Sequence, residues 1–142
     1  MVKVKIKVLK GGVMPIKKTK GAVCFDCYAR CEQEIKIKPQ DRATIPLGFA
    51  MELPEGYEAV IRGRSGLSKK GIDGVIGTID TDYRGEVCAT VINNSDFCFY
   101  VDNGNRVCQM AIREVPEIEF EEVDELTETE RGSGGFGHTG IN

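Results

Sequence analysis

In Met1-Val-Lys-Val-Lys-Ile-Lys-Val8 apolar and basic residues alternate from Val2 onward. Val2, Val4, Ile6 and Val8 share one side and Lys3, Lys5 and Lys7 the other. Successive side chains of an extended chain point to opposite faces, so this is the pattern of a strand with one buried and one wet face. The same period returns at Ile35–Lys38, Ala43–Ile45, Phe49–Leu53, Tyr57–Ile61, Val87–Ile92, Phe97–Val101, Val107–Ile112 and Ile118–Glu121. Turn residues separate several of these runs, at Pro54-Glu-Gly56, Asn93-Asn-Ser95 and Asp102-Asn-Gly104. No segment sustains a 3.6-residue period for long. One short helix is expected at Ser65–Lys70, and the acidic stretch 121–130 reads as a solvated linker. Many short strands with frequent turns predict an all-β sandwich or barrel, in one domain with a C-terminal arm.

A chain of 142 residues is long enough for one hydrophobic core. Its net charge of −3 argues against a general nucleic-acid binder held by a basic surface. An anionic substrate must therefore meet a local cluster of basic groups. No apolar run reaches membrane-spanning length, and the alternating start is unlike a signal-peptide core, so a cytoplasmic protein is expected. Six cysteines stand at 24, 27, 31, 88, 98 and 108. The Cys24-x-x-Cys27-x-x-x-Cys31 group lacks a second pair at ligand spacing, and the one histidine is His138, so buried or incidental thiols are favoured over a metal site. Cys88 and Cys108 lie within apolar strand patterns and read as small buried hydrophobes.

Three constellations and the tail carry chemistry. Arg62-Gly-Arg-Ser-Gly-Leu-Ser-Lys-Lys-Gly71 follows a strand and opens the short helix, so Arg64 and Ser65 suit phosphate oxygens as charge-assisted and hydroxyl donors. A basic surface turn explains the same residues equally well, and the spacing of a Walker loop is absent. In Gly71-Ile-Asp-Gly-Val-Ile-Gly-Thr-Ile-Asp-Thr-Asp-Tyr-Arg-Gly85, Gly74 and Gly77 suit a tight hairpin whose bare backbone a planar ligand can approach edge-on. On a regular strand Asp80 and Asp82 share a face and Tyr83 takes the other. A carboxylate there suits a general base acting on water, while an acidic turn that merely reverses the chain is the plainer reading. In Asn103-Gly-Asn-Arg-Val-Cys-Gln-Met110, Arg106 and Gln109 interrupt an apolar strand, and a satisfied core amide is the simpler account of Gln109. Finally, Arg131-Gly-Ser-Gly-Gly-Phe-Gly-His-Thr-Gly-Ile-Asn142 has too much glycine to fold alone, yet it holds an arginine, an aromatic ring and hydroxyls. Such a strip suits closure over something anionic and planar, although for a tail of this composition taken alone a frayed Gly-rich end is the plainer reading.

In this order the segments resemble the trimeric deoxyuridine triphosphatase (dUTPase) family along nearly the whole chain. The family's five ordered motifs have counterparts in Ala22–Asp26, Gly63–Leu67, Gly77–Gly85, Gly104–Gln109 and Arg131–Gly140. The resemblance implies a distorted jelly-roll β-barrel over residues 1–125, with a flexible Gly-rich arm over 126–142 that closes an active site. It also implies a homotrimer with sites at subunit interfaces, and hydrolysis of dUTP to dUMP and pyrophosphate.

Roles follow from the same resemblance. Gly77, Thr78 and Ile79, with Gly74, would read deoxyuridine through main-chain bonds, and Tyr83 would pack under the deoxyribose. Asp80 would deprotonate the attacking water. Arg64, Ser65, Gly66 and Gln109 would bind phosphates. From the arm, Arg131 would pair with the γ-phosphate, Phe136 would stack on uracil, and Gly137, His138 and Thr139 would add phosphate contacts. Mg²⁺ would be held mainly by triphosphate oxygens, with Asp26 orienting its water. Departures from the family pattern stand at Cys24, Phe25 and Cys27 in the first motif, at Asn105 where an acidic residue is frequent, and at His138 in place of serine. Two other readings compete: the related dCTP deaminases, which use a glutamate where Asp80 stands and lack the phenylalanine-bearing arm, and a non-catalytic nucleotide binder on the same scaffold.

Overall fold

The structure, a computed structural model, describes residues 1–136. The apolar-alternating runs become short strands: β1 (Lys5–Val8), β2 (Phe25–Tyr28), β3 (Ile35–Ile37), β4 (Arg42–Pro46), β5 (Phe49–Glu52) and β6 (Tyr57–Arg62). One helical turn, α1 (Ser65–Ser68), follows, and then β7 (Ile72–Gly74), β8 (Gly77–Ile79), β9 (Cys88–Asn93), β10 (Phe99–Val101) and β11 (Arg106–Glu114). Every strand pairing is antiparallel. Two larger sheets have the orders β2-β11-β6-β8 and β4-β9-β7, and two ribbons pair β1 with β5 and β3 with β10.

All four sheets contribute to one core. Phe49, Ile37, Ile45, Leu47, Ile61, Val87, Val91, Val101 and Val107 are fully or almost fully buried in it. Removing each such side chain from water contributes about 1.5–3 kcal/mol. With almost no helix and one shared core, the body is a distorted β-barrel of jelly-roll type. Among the described residues no helix is long and apolar enough to cross a membrane.

Three expectations change. The N-terminal strand begins at Lys5 rather than Val2, because only Lys5–Val8 find partners on β5. Val2, Val4 and Ile6 instead line an apolar groove of about 400 Å³ with Phe25, Met51, Tyr57, Met110 and Ile112. No strand forms at Ile118–Glu121, where Ile118 and Phe120 stand exposed without a neighbouring ladder. An extended segment needs a hydrogen-bonding edge to become a strand, and alternation alone does not supply one. Third, β7 and β8 do not pair with each other as a hairpin. β7 pairs with β9 and β8 with β6, so the Val75-Ile76 link steps from one sheet to the other.

Two polar anchors fasten this barrel. Asn93, fully buried at the end of β9, donates its side-chain amide to the carbonyls of Ile37 (2.9 Å) and Phe97 (2.7 Å). Its Oδ1 accepts from the Ser95 amide (3.0 Å) and the Ser95 hydroxyl (2.6 Å). The stretch that reads as a simple turn is therefore pinned from beneath by one buried amide. The second anchor is Glu86, whose carboxylate accepts from Arg30 Nε (2.7 Å), from Arg30 Nη2 and from the Gly48 amide (2.9 Å). Arg30 beside it, helped by the Gly48 amide, holds the Glu86 carboxyl below the ordinary glutamate value of 4.5, and the Arg30 guanidinium is raised in turn.

Replacing Asn93 with leucine is expected to destabilise the fold strongly, at about 1–3 kcal/mol for each buried group left unpaired; urea unfolding reads the loss as a lowered midpoint. The contribution of Glu86 is complete above the unfolded glutamate pKa, and it drains away as pH falls through the lower folded value. The stability gap between wild type and Glu86→Gln should accordingly be wide at neutral pH and close on acidification below the ordinary glutamate range, as urea titrations across that interval will measure.

Candidate functional site

The first group of functional side chains gathers around Asp26. Asp26 lies on β2 directly opposite Gln109 on β11, which in turn lies opposite Arg62 on β6. Period-two geometry sends Asp26 and Gln109 to one side and their neighbours Cys27 and Cys108 into the core, where both are fully buried. Strict alternation would also send Arg106 inward with Cys108. A β-bulge between Arg106 and Cys108 prevents this: Val107 joins the core and Arg106 turns outward, opposite Tyr28. Arg106 Nη1 then reaches the Asp26 carboxylate at 3.0 Å, and Arg64 Nε approaches it at 3.7 Å.

Arg64 precedes α1 in an extended conformation, and its Nη1 donates to the Arg106 carbonyl at 2.8 Å. No side chain caps the start of the turn, and the space beside Gly66 is open. Gln109 donates to the Gly63 carbonyl at 2.8 Å and so fixes the loop that carries Arg64, Ser65 and Gly66. Gly63 also packs directly on Gly74, and a Cβ on either would overlap the other's backbone. The result is a locally basic patch, two guanidiniums against one carboxylate, on a chain whose net charge is −3. It is suited to an anion with several oxygens.

The second group follows β8. Gly74 ends β7 and Gly77–Ile79 is β8; among the described residues each strand is the last in its sheet and keeps one unpaired backbone edge. The chain then leaves regular structure. Asp80–Tyr83 is a turn closed by the Tyr83 amide on the Asp80 carbonyl (3.3 Å), so the shared strand face expected for Asp80 and Asp82 is replaced by a chain reversal. Asp80 is exposed and, with Thr78, Thr81, Glu55 and Glu58, lines a cavity of about 490 Å³. Tyr83 is 44% exposed, and its hydroxyl donates to the Glu86 carbonyl at 3.0 Å.

The third group is the arm. Arg131 Nε donates to the Gly134 carbonyl at 2.8 Å, the Gly132 amide to the Thr129 carbonyl at 3.0 Å, and Phe136 stands fully exposed. Gly137, His138 and Thr139 lie outside the described residues. Among the described residues no side-chain hydrogen bond or ion pair joins the Asp26 group, the Asp80–Tyr83 group and the arm to one another.

The roles of Arg30 and Glu86, and the partner of Arg106, emerge only with the fold. Arg106 has a local signal, as a polar break in an apolar strand, but Arg30 and Glu86 meet across 56 residues. Asn105 is structural: its Oδ1 accepts from the Asp102 amide at 3.0 Å and its carbonyl from the Ala29 amide at 2.8 Å. The cysteines make no metal cluster among the described residues. The neighbouring Cys108 thiol, together with burial, pushes the Cys27 thiol up, so it stays protonated. Cys108 is a buried hydrophobe, whereas Cys88 is only half-buried.

Known proteins with this architecture agree. A family model described as dUTPase matches residues 11–140. The deoxyuridine 5'-triphosphate nucleotidohydrolase of Finegoldia magna is 46% identical over 141 residues, covering 96% of this chain and 99% of that protein. Its namesake from Fusobacterium nucleatum is 41% identical over 145 residues, covering 99% of both chains. Among solved structures, the Staphylococcus bacteriophage 80alpha dUTPase with dUPNHPP superposes with a TM-score of 0.89 at 25% identity, covering 98% of this chain and 99% of that one. A mutant dUTPase from a phage of S. aureus, described with a structural Mg(II) ion, shares the fold at a TM-score of 0.81 and 21% identity, covering 89% and 99%. On the match across its length and the identity to two full-length relatives, this chain belongs to the dUTPase family.

Proposed function

We infer that the chain is an enzyme that hydrolyses dUTP to dUMP and pyrophosphate. Beside family membership, the observation that carries this reading is the basic patch of Arg64 and Arg106 around Asp26, joined through the Gly63–Gly74 contact to strands with free backbone edges. Arg64, Ser65, Gly66 and Gln109 bind the phosphates. Gln109 donates one amide hydrogen to Gly63, which leaves the second for a ligand oxygen. The edges at Gly74 and Gly77–Ile79 offer donors and acceptors in turn, as a uracil ring does. Tyr83 packs under the deoxyribose and leaves no room for a 2′-hydroxyl.

Asp80 takes the proton of a water that attacks the α-phosphorus in line, and pyrophosphate leaves with the electrons of the broken P–O bond. The donor set fits a magnesium ion held chiefly by substrate oxygens: no acidic cage is present among the described residues, and Asp26 keeps lone pairs beyond the two arginines for metal-bound water. When bound, Mg²⁺ neutralises charge on the departing pyrophosphate.

Among the described residues no side-chain hydrogen bond or ion pair joins the basic patch, the Asp80–Tyr83 turn and the arm, which supports a complete site assembled from neighbouring subunits of a homotrimer. Arg131 then reaches the γ-phosphate, Phe136 stacks on uracil, and Gly137, His138 and Thr139 add phosphate contacts. The barrel body thus spans residues 1–125, and the closing arm 126–142.

Asp80→Asn is expected to cut turnover by about 10²–10⁴-fold while dUTP affinity is retained. Pyrophosphate release and equilibrium binding measure the two effects, and near-normal turnover removes Asp80 from the mechanism. Across dUTP, UTP, dTTP and dCTP the wild-type protein should prefer dUTP and lose activity with a chelator; ammonia release from dCTP would instead mark a deaminase. Deleting 131–142 should leave a folded trimer by light scattering with badly impaired turnover.

A further inference from the structure

We propose that the Arg30–Glu86 ion pair is a positioning device for the Tyr83 ring, and that through this ring it sets discrimination between deoxyribose and ribose nucleotides. The proposal rests on the reading of Tyr83 as the floor of the sugar pocket. Residues 80–87 belong to no strand, so the ladders that fix the rest of the barrel do not fix Tyr83. Two contacts do. The Tyr83 hydroxyl donates to the Glu86 carbonyl at 3.0 Å, and the ring lies against Gly85, where a Cβ would run into its hydroxyl and edge.

Both contacts depend on where Glu86 sits. Its carboxylate is gripped by two nitrogens of Arg30 and by the Gly48 amide. The pair is partly buried, with 31% and 22% of the side chains exposed, so its charge-assisted bonds are shielded from competing water. By contrast the Lys5–Glu52 pair, at 79% and 44%, lies open to solvent. Arg30 follows β2 and Gly48 precedes β5, so Glu86 is tied to two elements of the barrel at once. Arg84 adds a local staple, with Nη1 on the carbonyls of Thr81 (2.6 Å) and Tyr83 (3.1 Å).

Glu86 points its carboxylate at Arg30 and Gly48 and acts on the sugar pocket only through Tyr83. Rejection of a single hydroxyl by steric exclusion requires a ring that does not yield, because a small displacement opens the needed space. Glu86→Gln replaces one acceptor oxygen with a donor facing Arg30 or Gly48. This loosens the grip while preserving side-chain volume.

The test compares kcat and KM for dUTP and UTP in wild type, Glu86→Gln, Arg30→Lys, Tyr83→Phe and Tyr83→Ala, with melting temperatures alongside. In Glu86→Gln and Arg30→Lys the ratio of kcat/KM for dUTP over UTP should fall about tenfold, chiefly through a lower KM for UTP, with kcat for dUTP retained. Tyr83→Phe removes only the hydroxyl bond to the Glu86 carbonyl and should lower the ratio similarly. Adding Glu86→Gln to it should cost little more. A lower melting temperature with an unchanged ratio in Glu86→Gln would make the pair merely structural. Should that variant fail to fold, an unchanged ratio in Tyr83→Phe overturns the proposal on its own. An unchanged ratio in Tyr83→Ala would instead sink the sugar-floor reading itself; a changed ratio there, with none in the other variants, defeats only the positioning role.

Discussion

Antiparallel pairing of β11 with β2 on one side and β6 on the other is the constraint from which the site follows. It places Asp26, Gln109 and Arg62 in one row across three strands that are remote in sequence. A slip of one residue in either ladder would send Asp26 or Gln109 to the opposite face and bring a core residue out. The buried run of Val107, Cys108, Met110 and Ala111 opposes such a slip, since exposing any of them forfeits apolar burial. Register is therefore set by the core and read out by the polar face. The bulge at Val107 is the exception that completes the pattern, because it delivers Arg106 to Asp26 where simple alternation would bury it.

The remaining polar anchors do a different task. Where a ladder exists, main-chain hydrogen bonds suffice. Where the chain leaves the sheets, at 80–87 and 94–98, side chains take over. Asn93 satisfies two carbonyls and accepts two hydrogens in full burial, and Glu86 collects three donors in partial burial. Such groups are costly if any partner is lost, which makes the irregular segments more sharply defined than their lack of secondary structure suggests.

Much of the molecule is legible from local pattern. Period-two runs at Ala43–Ile45, Tyr57–Ile61 and Val107–Ile112 become β4, β6 and β11 within a residue or two, and the helical turn begins at Ser65. The misreadings share a cause. Among the described residues Val2–Val4 and Ile118–Glu121 have a strand's alternation without a partner edge, and the turn at Asp80–Tyr83 breaks the alternation that its residue types suggest. Strand Phe25–Tyr28 is legible only as a motif, because its flanking cysteines and lysines blur the pattern.

Local propensities and chemistries belong to the sequence alone: an all-β chain, the glycines where backbones must approach, and the arginines, aspartates and tyrosine that resemble a dUTPase. Which of these meet is a property of the folded chain. Arg106 reaches Asp26 through a bulge and a pairing 80 residues apart, and Arg30 reaches Glu86 across 56. Such meetings depend on long-range register, which the whole core sets, whereas alternation and turn chemistry act over only a few residues.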